Sequence, residues 1–199
     1  MKNLFLIILC FLIPTISIDA QNDDLEDKAD AFLDAHYEGG AKAFLELIYT
    51  NIKFPEEARS NCISGVSIMT IRFGQQGKIV GIQQRNPLGG GLQTELSRVI
   101  RLTVRDWKKN FEDTSFTFSI AFMIGERDKL DAYIRVIAYG LPQYEACPTT
   151  KYFEKKLKRT LEKKKYENAK VYCEELLQRH PFSETYLKQY EMIIEKLGL

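Results

Sequence analysis

Ser115-Phe-Thr-Phe-Ser-Ile-Ala-Phe-Met-Ile124 alternates strictly. Phe116, Phe118, Ile120, Phe122 and Ile124 fall on one side, and Thr117, Ser119, Ala121 and Met123 on the other. A period of two is the signature of a strand with one face in an apolar core. Working outward toward the N-terminus, Gly65 to Phe73 has the same period, with Ser67, Met69, Ile71 and Phe73 sharing a face. Gly74-Gln-Gln-Gly77 is a turn signal, and Lys78 to Gln84 forms the second arm of a hairpin. Leu92 to Lys109 has helical spacing, with Leu92, Leu96, Val99, Thr103 and Trp107 along one side. Ala41 to Ile52 is a second helix, from Phe44, Leu47, Ile48 and Ile52. Phe54-Pro55 stops it, because a residue before proline is pushed out of the α region. Pro55 to Arg59 can open a short helix.

Beyond the central strand, Gly125 to Lys129 is a charged break, and Asp131 to Tyr139 reads as a further strand. These elements describe an α+β fold: a small antiparallel sheet with two helices packed on one face. After Pro148 the composition shifts. Lys151 to Leu199 is dense in Lys, Glu, Leu and Tyr, and His180-Pro181 breaks it. Three helices are expected there, near Lys151–Lys164, Tyr166–Arg179 and Ser183–Leu197. The first carries eight basic residues against two acidic ones, through Lys165. A solvated face is the plain reading of that run, and an acidic partner surface the sharper one.

The N-terminus has the layout of a secretory signal peptide. Lys2 precedes an apolar run from Leu4 to Ile13, Pro14 interrupts it, and Ala20 offers a small residue before an acidic stretch. The run is short for a membrane span, which needs about 20 residues. Export to the periplasm is therefore expected, with cleavage near Ala20; a retained inner-membrane anchor is the alternative. Cys10 lies inside the apolar run, so no lipid attachment is expected. The expected organisation is a signal over residues 1–20, an acidic linker over 21–40 that reads as a linker or a loose helix, a sheet domain over 41–147 and a helical segment over 148–199.

Net charge is +1, from 28 basic and 27 acidic residues, and basic stripes with interleaved aromatics are absent. Nucleic acid is not an expected partner. The exported chain would hold Cys62, Cys147 and Cys173, without metal-ligand spacing. Separate buried thiols are the simplest reading; a Cys62–Cys147 pair, in loop-like surroundings, is the alternative. His36 and His180 have no Ser, Cys or carboxylate partner at a recognisable spacing. Gly89-Gly-Gly91 lacks the ending of a phosphate loop and reads as a connector. No catalytic, metal or cofactor residue is assigned, and an enzyme is not expected.

Several motifs in order carry a family resemblance. Asn51-Ile-Lys-Phe-Pro-Glu-Glu-Ala58, Gly65-x-Ser-x-Met-x-Ile-x-Phe73, Gly77-Lys-Ile79, Gly89-Gly-Gly-Leu-Gln-Thr-Glu-Leu-Ser-Arg-Val-Ile100 and Trp107 resemble the C-terminal domain of TonB energy transducers in its Bacteroidetes form. The resemblance covers about Lys42 to Ile124. It implies a module that grips an extended peptide of an outer-membrane transporter by adding it to the sheet as a strand. The candidate edge is Ser115–Ile124, with its Thr117, Ser119 and Ala121 face, and Asn51, Lys53 and Phe54 beside it. An exposed edge of this kind also makes a strand-swapped homodimer plausible. The C-terminal segment resembles one tetratricopeptide-type helical pair plus a helix, through Phe153, Tyr166, Ala169, Cys173, Leu176 and Pro181. Such a pair must borrow burial from the sheet domain or a partner. The second functional reading follows from these helices: a structural adaptor that docks another envelope protein without energy transduction.

Overall fold

A four-stranded sheet in the order β2-β1-β3-β4 organises the molecule. In the computed structural model, residues 28–110, 113–125, 134–142 and 147–199 are described; the signal reading lies outside them. β1 is Gly65–Phe73, β2 Ile79–Arg85, β3 Thr114–Ile124 and β4 Ile134–Gly140. β1 is antiparallel to β2 and, along its whole length, to β3. β4 runs parallel to β3, with Ile120 opposite Val136 and Ile124 opposite Gly140. The sheet is thus mixed, which corrects the antiparallel expectation. Hairpins that reverse direction use short loops. Nine residues separate Ile124 from Ile134, enough for the chain to return and begin again beside β3.

The alternation read in β3 is realised. Phe116, Phe118, Ile120 and Phe122 are buried in one cluster with Met69, Ile71 and Phe73 of β1. Helix α2 (Gly40–Asn51) supplies Phe44 and Ile48 to that cluster, short α3 (Glu56–Ser60) supplies Ala58, and α4 (Leu92–Leu102) supplies Leu92, Leu96, Val99 and Ile100. α4 ends earlier than its spacing suggests. Thr103–Asp106 tighten into a 3-10 turn and Trp107 is extended, yet both Thr103 and Trp107 stay buried. The Trp107 indole donates to the Thr103 hydroxyl at 3.1 Å.

Of the two readings of the acidic stretch, linker or loose helix, its described part takes the helix. Residues 28–36 form a helix, α1. Leu33 and Tyr37 are 1% exposed, inside the main core. Phe32 stacks on Phe116 at 5.2 Å, and Tyr37 bridges Trp107 through the backbone. Four helices, not two, therefore contribute to this cluster.

The C-terminal segment forms α5 (Thr150–Glu162), α6 (Tyr166–Arg179) and α7 (Glu184–Leu197). Thr149 caps α5 and Ser183 caps α7, each accepting from a backbone N–H three residues on. Phe153, Leu157, Ala169, Cys173, Leu176 and Ile193 make a second, small core. The segment also borrows from the sheet. Asn86, after β2, donates to the carbonyls of Val66 and Gln178. A disulfide joins Cys62 to Cys147, with Cα atoms 5.4 Å apart. That replaces the reading of separate thiols; among the described residues, Cys173 is the free cysteine, and it is buried.

Candidate functional site

The peptide-binding reading depends on Asn51–Phe54 and on one side of β3. Both are already engaged. Asn51 closes α2, its amide donating to the Leu47 carbonyl at 2.8 Å. Its own carbonyl accepts from the Arg98 guanidinium at 2.6 Å, and the Lys53 N–H donates to Glu95 at 2.6 Å. Glu95 and Arg98 are bonded to each other at 2.7 and 2.8 Å. The Arg98 bond, with help from Lys53, holds the Glu95 carboxyl below its ordinary value despite partial burial. This clamp fixes the exit of α2 on α4. Phe54 turns its ring onto Phe122, edge to face at 5.5 Å, and lies over Gly140 of β4, where an added Cβ would come within 2.9 Å of the ring. Of the four residues, only Lys53 is exposed.

β3 is not an edge strand. β1 flanks it from Thr114 to Phe122, and β4 takes its other side from Ser119 to Ile124. Ser119 is 3% exposed and Ala121 fully buried, the latter in a small cluster with Val66 and Met123. Only Thr117 of that face meets solvent, and its hydroxyl is bonded to that of Thr70 at 2.8 Å. The structure therefore does not bring Asn51, Lys53, Phe54, Thr117, Ser119 and Ala121 together as an open groove.

No protein-family model, curated protein or solved structure matches the chain.

Elsewhere the chemistry-bearing residues are dispersed. His36 packs against Phe32 at 4.6 Å, and His180 closes α6 beside the Tyr186 ring. Among the described residues, no group of three His, Cys, Asp or Glu side chains could hold a metal ion. Glu126, Asp128 and Asp131 lie outside the described residues. The Gly89–Gly91 run has a packing cause: a Cβ at Gly90, where φ is +61°, would meet the Ala58 backbone at 2.8 Å. Burial pushes the Cys173 thiol up to about 11, with Glu174 adding to the effect, so it is a poor nucleophile.

The outer surface of the helical segment is open. Val171 and Leu187 are more than two-fifths exposed, and the basic side chains of α5 face solvent. Among the described residues, no helix is long and apolar enough to cross a membrane.

Proposed function

We propose that the chain is an exported, non-enzymatic adaptor of the bacterial envelope that docks another envelope protein through its C-terminal helices. The observation that carries this reading is the pairing of β4 with β3. From Ser119 to Ile124, the side of β3 where an extended peptide would add is filled by the chain's own strand. Meanwhile the helical segment is fastened to the sheet by the Cys62–Cys147 disulfide and by Asn86, leaving its far side to solvent. A disulfide closed across 85 residues suits an oxidising compartment, in keeping with the export signal read from residues 1–20.

Strand addition at β3, as in TonB-type modules, is the second reading. It is favoured by the shortness of the β4 ladder, which starts at Ser119 and shifts register at once. Among the described residues, Thr114 to Phe118 pair with β1 alone.

One experiment separates the two. A photo-crosslinking residue is placed in cells at Val171, at Leu187 or at Thr117. Adducts to one envelope protein from Val171 and Leu187, with none from Thr117, are expected. Adducts confined to Thr117, and formed with a transporter N-terminal segment, would overturn the adaptor in favour of strand addition.

A further inference from the structure

α5 presents an unbalanced positive face. Lys151, Lys155, Lys158 and Arg159 are exposed along about 12 Å of helix, and Lys163 to Lys165 continue it through the turn into α6. None of these seven forms an ion pair with a described residue. Of the two acids in the stretch, Glu154 is engaged by the Tyr186 hydroxyl at 2.7 Å, leaving Glu162. Residues 151–165 hold eight basic and two acidic side chains in a chain whose net charge is +1. The rest of the molecule is therefore acidic, and the protein is electrically polar.

We propose that this face docks the protein on an anionic phospholipid bilayer. The side chains fit a charged sheet better than a protein groove. Protein interfaces centre on desolvated apolar or aromatic anchors and exclude lysine from their cores. Here the cations are spread out, and Tyr152 is the one large apolar side chain that α5 exposes. Polybasic adsorption needs no pocket, because each cation contributes independently to attraction by a negative surface. Tyr152, on the stripe shared with Lys155, Lys156 and Arg159, has the amphipathic character that suits the headgroup region. An open crevice of about 380 Å³, lined by Lys164, Lys165, Asn168 and Leu197, extends the face past the turn; Glu167 is the acid on its wall.

The test is co-sedimentation of the protein purified from cells with two kinds of vesicle, one of phosphatidylglycerol with phosphatidylethanolamine and one of phosphatidylcholine alone. Binding is expected to the anionic vesicles only, and to weaken steeply as salt is raised. Lys155→Glu, Lys158→Glu and Arg159→Glu together should lower partitioning at least about a hundredfold. An equal charge change elsewhere, Lys42→Glu, Arg101→Glu and Lys109→Glu, should leave most of the binding. Circular dichroism confirms that both variants are folded. The proposal is overturned if the wild type ignores anionic vesicles at low salt or binds both lipids alike, as a retained apolar leader would make it do. It is equally overturned if the two triple variants lose binding to the same degree, or if the protein binds poly-glutamate but no vesicle.

Discussion

Gly65, the first residue of β1, lies against the backbone carbonyl of Gln178 near the end of α6; a Cβ there would come within 2.6 Å of that oxygen. The contact joins the two parts of the molecule at a point with no room to adjust, since the neighbour is backbone. Gly65→Ala should force α6 away from the sheet and cost about 1–3 kcal/mol, the usual range for overpacking. Urea unfolding followed by the fluorescence of the single tryptophan, Trp107, measures it. An unchanged midpoint would mean that the helices are not seated on β1.

The same junction is tied covalently. In the chain-entropy model, a cross-link closing a loop across 85 residues stabilises by about 4–5 kcal/mol. Reduction, or Cys62→Ser with Cys147→Ser, should lower the melting temperature and loosen the helical segment first. Cys173 should resist alkylation in the native state, because burial keeps it protonated. Of Cys62, Cys147 and Cys173, mass spectrometry after alkylation should find none labelled in the native protein, Cys173 alone after unfolding, and all three after unfolding with reductant. Labelling of Cys62 in the unreduced protein would contradict the pairing.

Regular alternation is what made the sheet legible. Gly65 to Phe73 matches β1 residue for residue, and Ser115 to Ile124 misses one residue of β3. Tyr166–Arg179 likewise reproduces α6. Partner choice was not legible, because it depends on which strand lies next to which. The sequence shows that Asp131–Tyr139 is strand-like, but not that Ile134–Gly140 runs parallel to β3 and takes its backbone edge from Ser119 to Ile124. That part of β3 therefore offers no open edge. Asn51 and Lys53 were illegible for another reason: the Asn51 carbonyl and the Lys53 N–H are engaged by Arg98 and Glu95, more than 40 residues away, and spacing carries no record of such a contact.

The charges of helix α1 left its stretch open between a linker and a loose helix. Asp30 and Asp34 gave the stretch the look of a linker, yet Phe32, Leu33, His36 and Tyr37 follow helical spacing. Leu33→Ala should cost about 2–5 kcal/mol, as for a buried leucine in a packed core. Alanine at Ala31, on the exposed side, is already native, so Ala31→Ser serves as the neutral control. Equilibrium unfolding of the two variants decides whether the segment belongs to the domain: equal stabilities would return it to a linker.

The Glu95 clamp gives the fold a specific dependence on acid. Its carboxyl is held below its ordinary value of 4.5 by Arg98 first and by the Lys53 N–H after it. A carboxyl with a lowered folded pKa contributes stability that is fully present above its unfolded value and is lost as pH falls through the folded one. Stability should therefore be flat, as far as this group is concerned, from neutral pH down to about 5, and fall below that. Glu95→Gln removes the charge and should cost about 1–2 kcal/mol at neutral pH, kept modest because the Arg98 side chain is 43% exposed. The variant should also flatten the acid limb of the stability curve. Denaturant midpoints of wild type and Glu95→Gln across the acid range measure both effects. The difference between the two proteins should shrink as pH falls, since protonation of Glu95 in the wild type does what the substitution does. A difference that stayed constant through the acid range would show that the clamp is held by packing and not by charge.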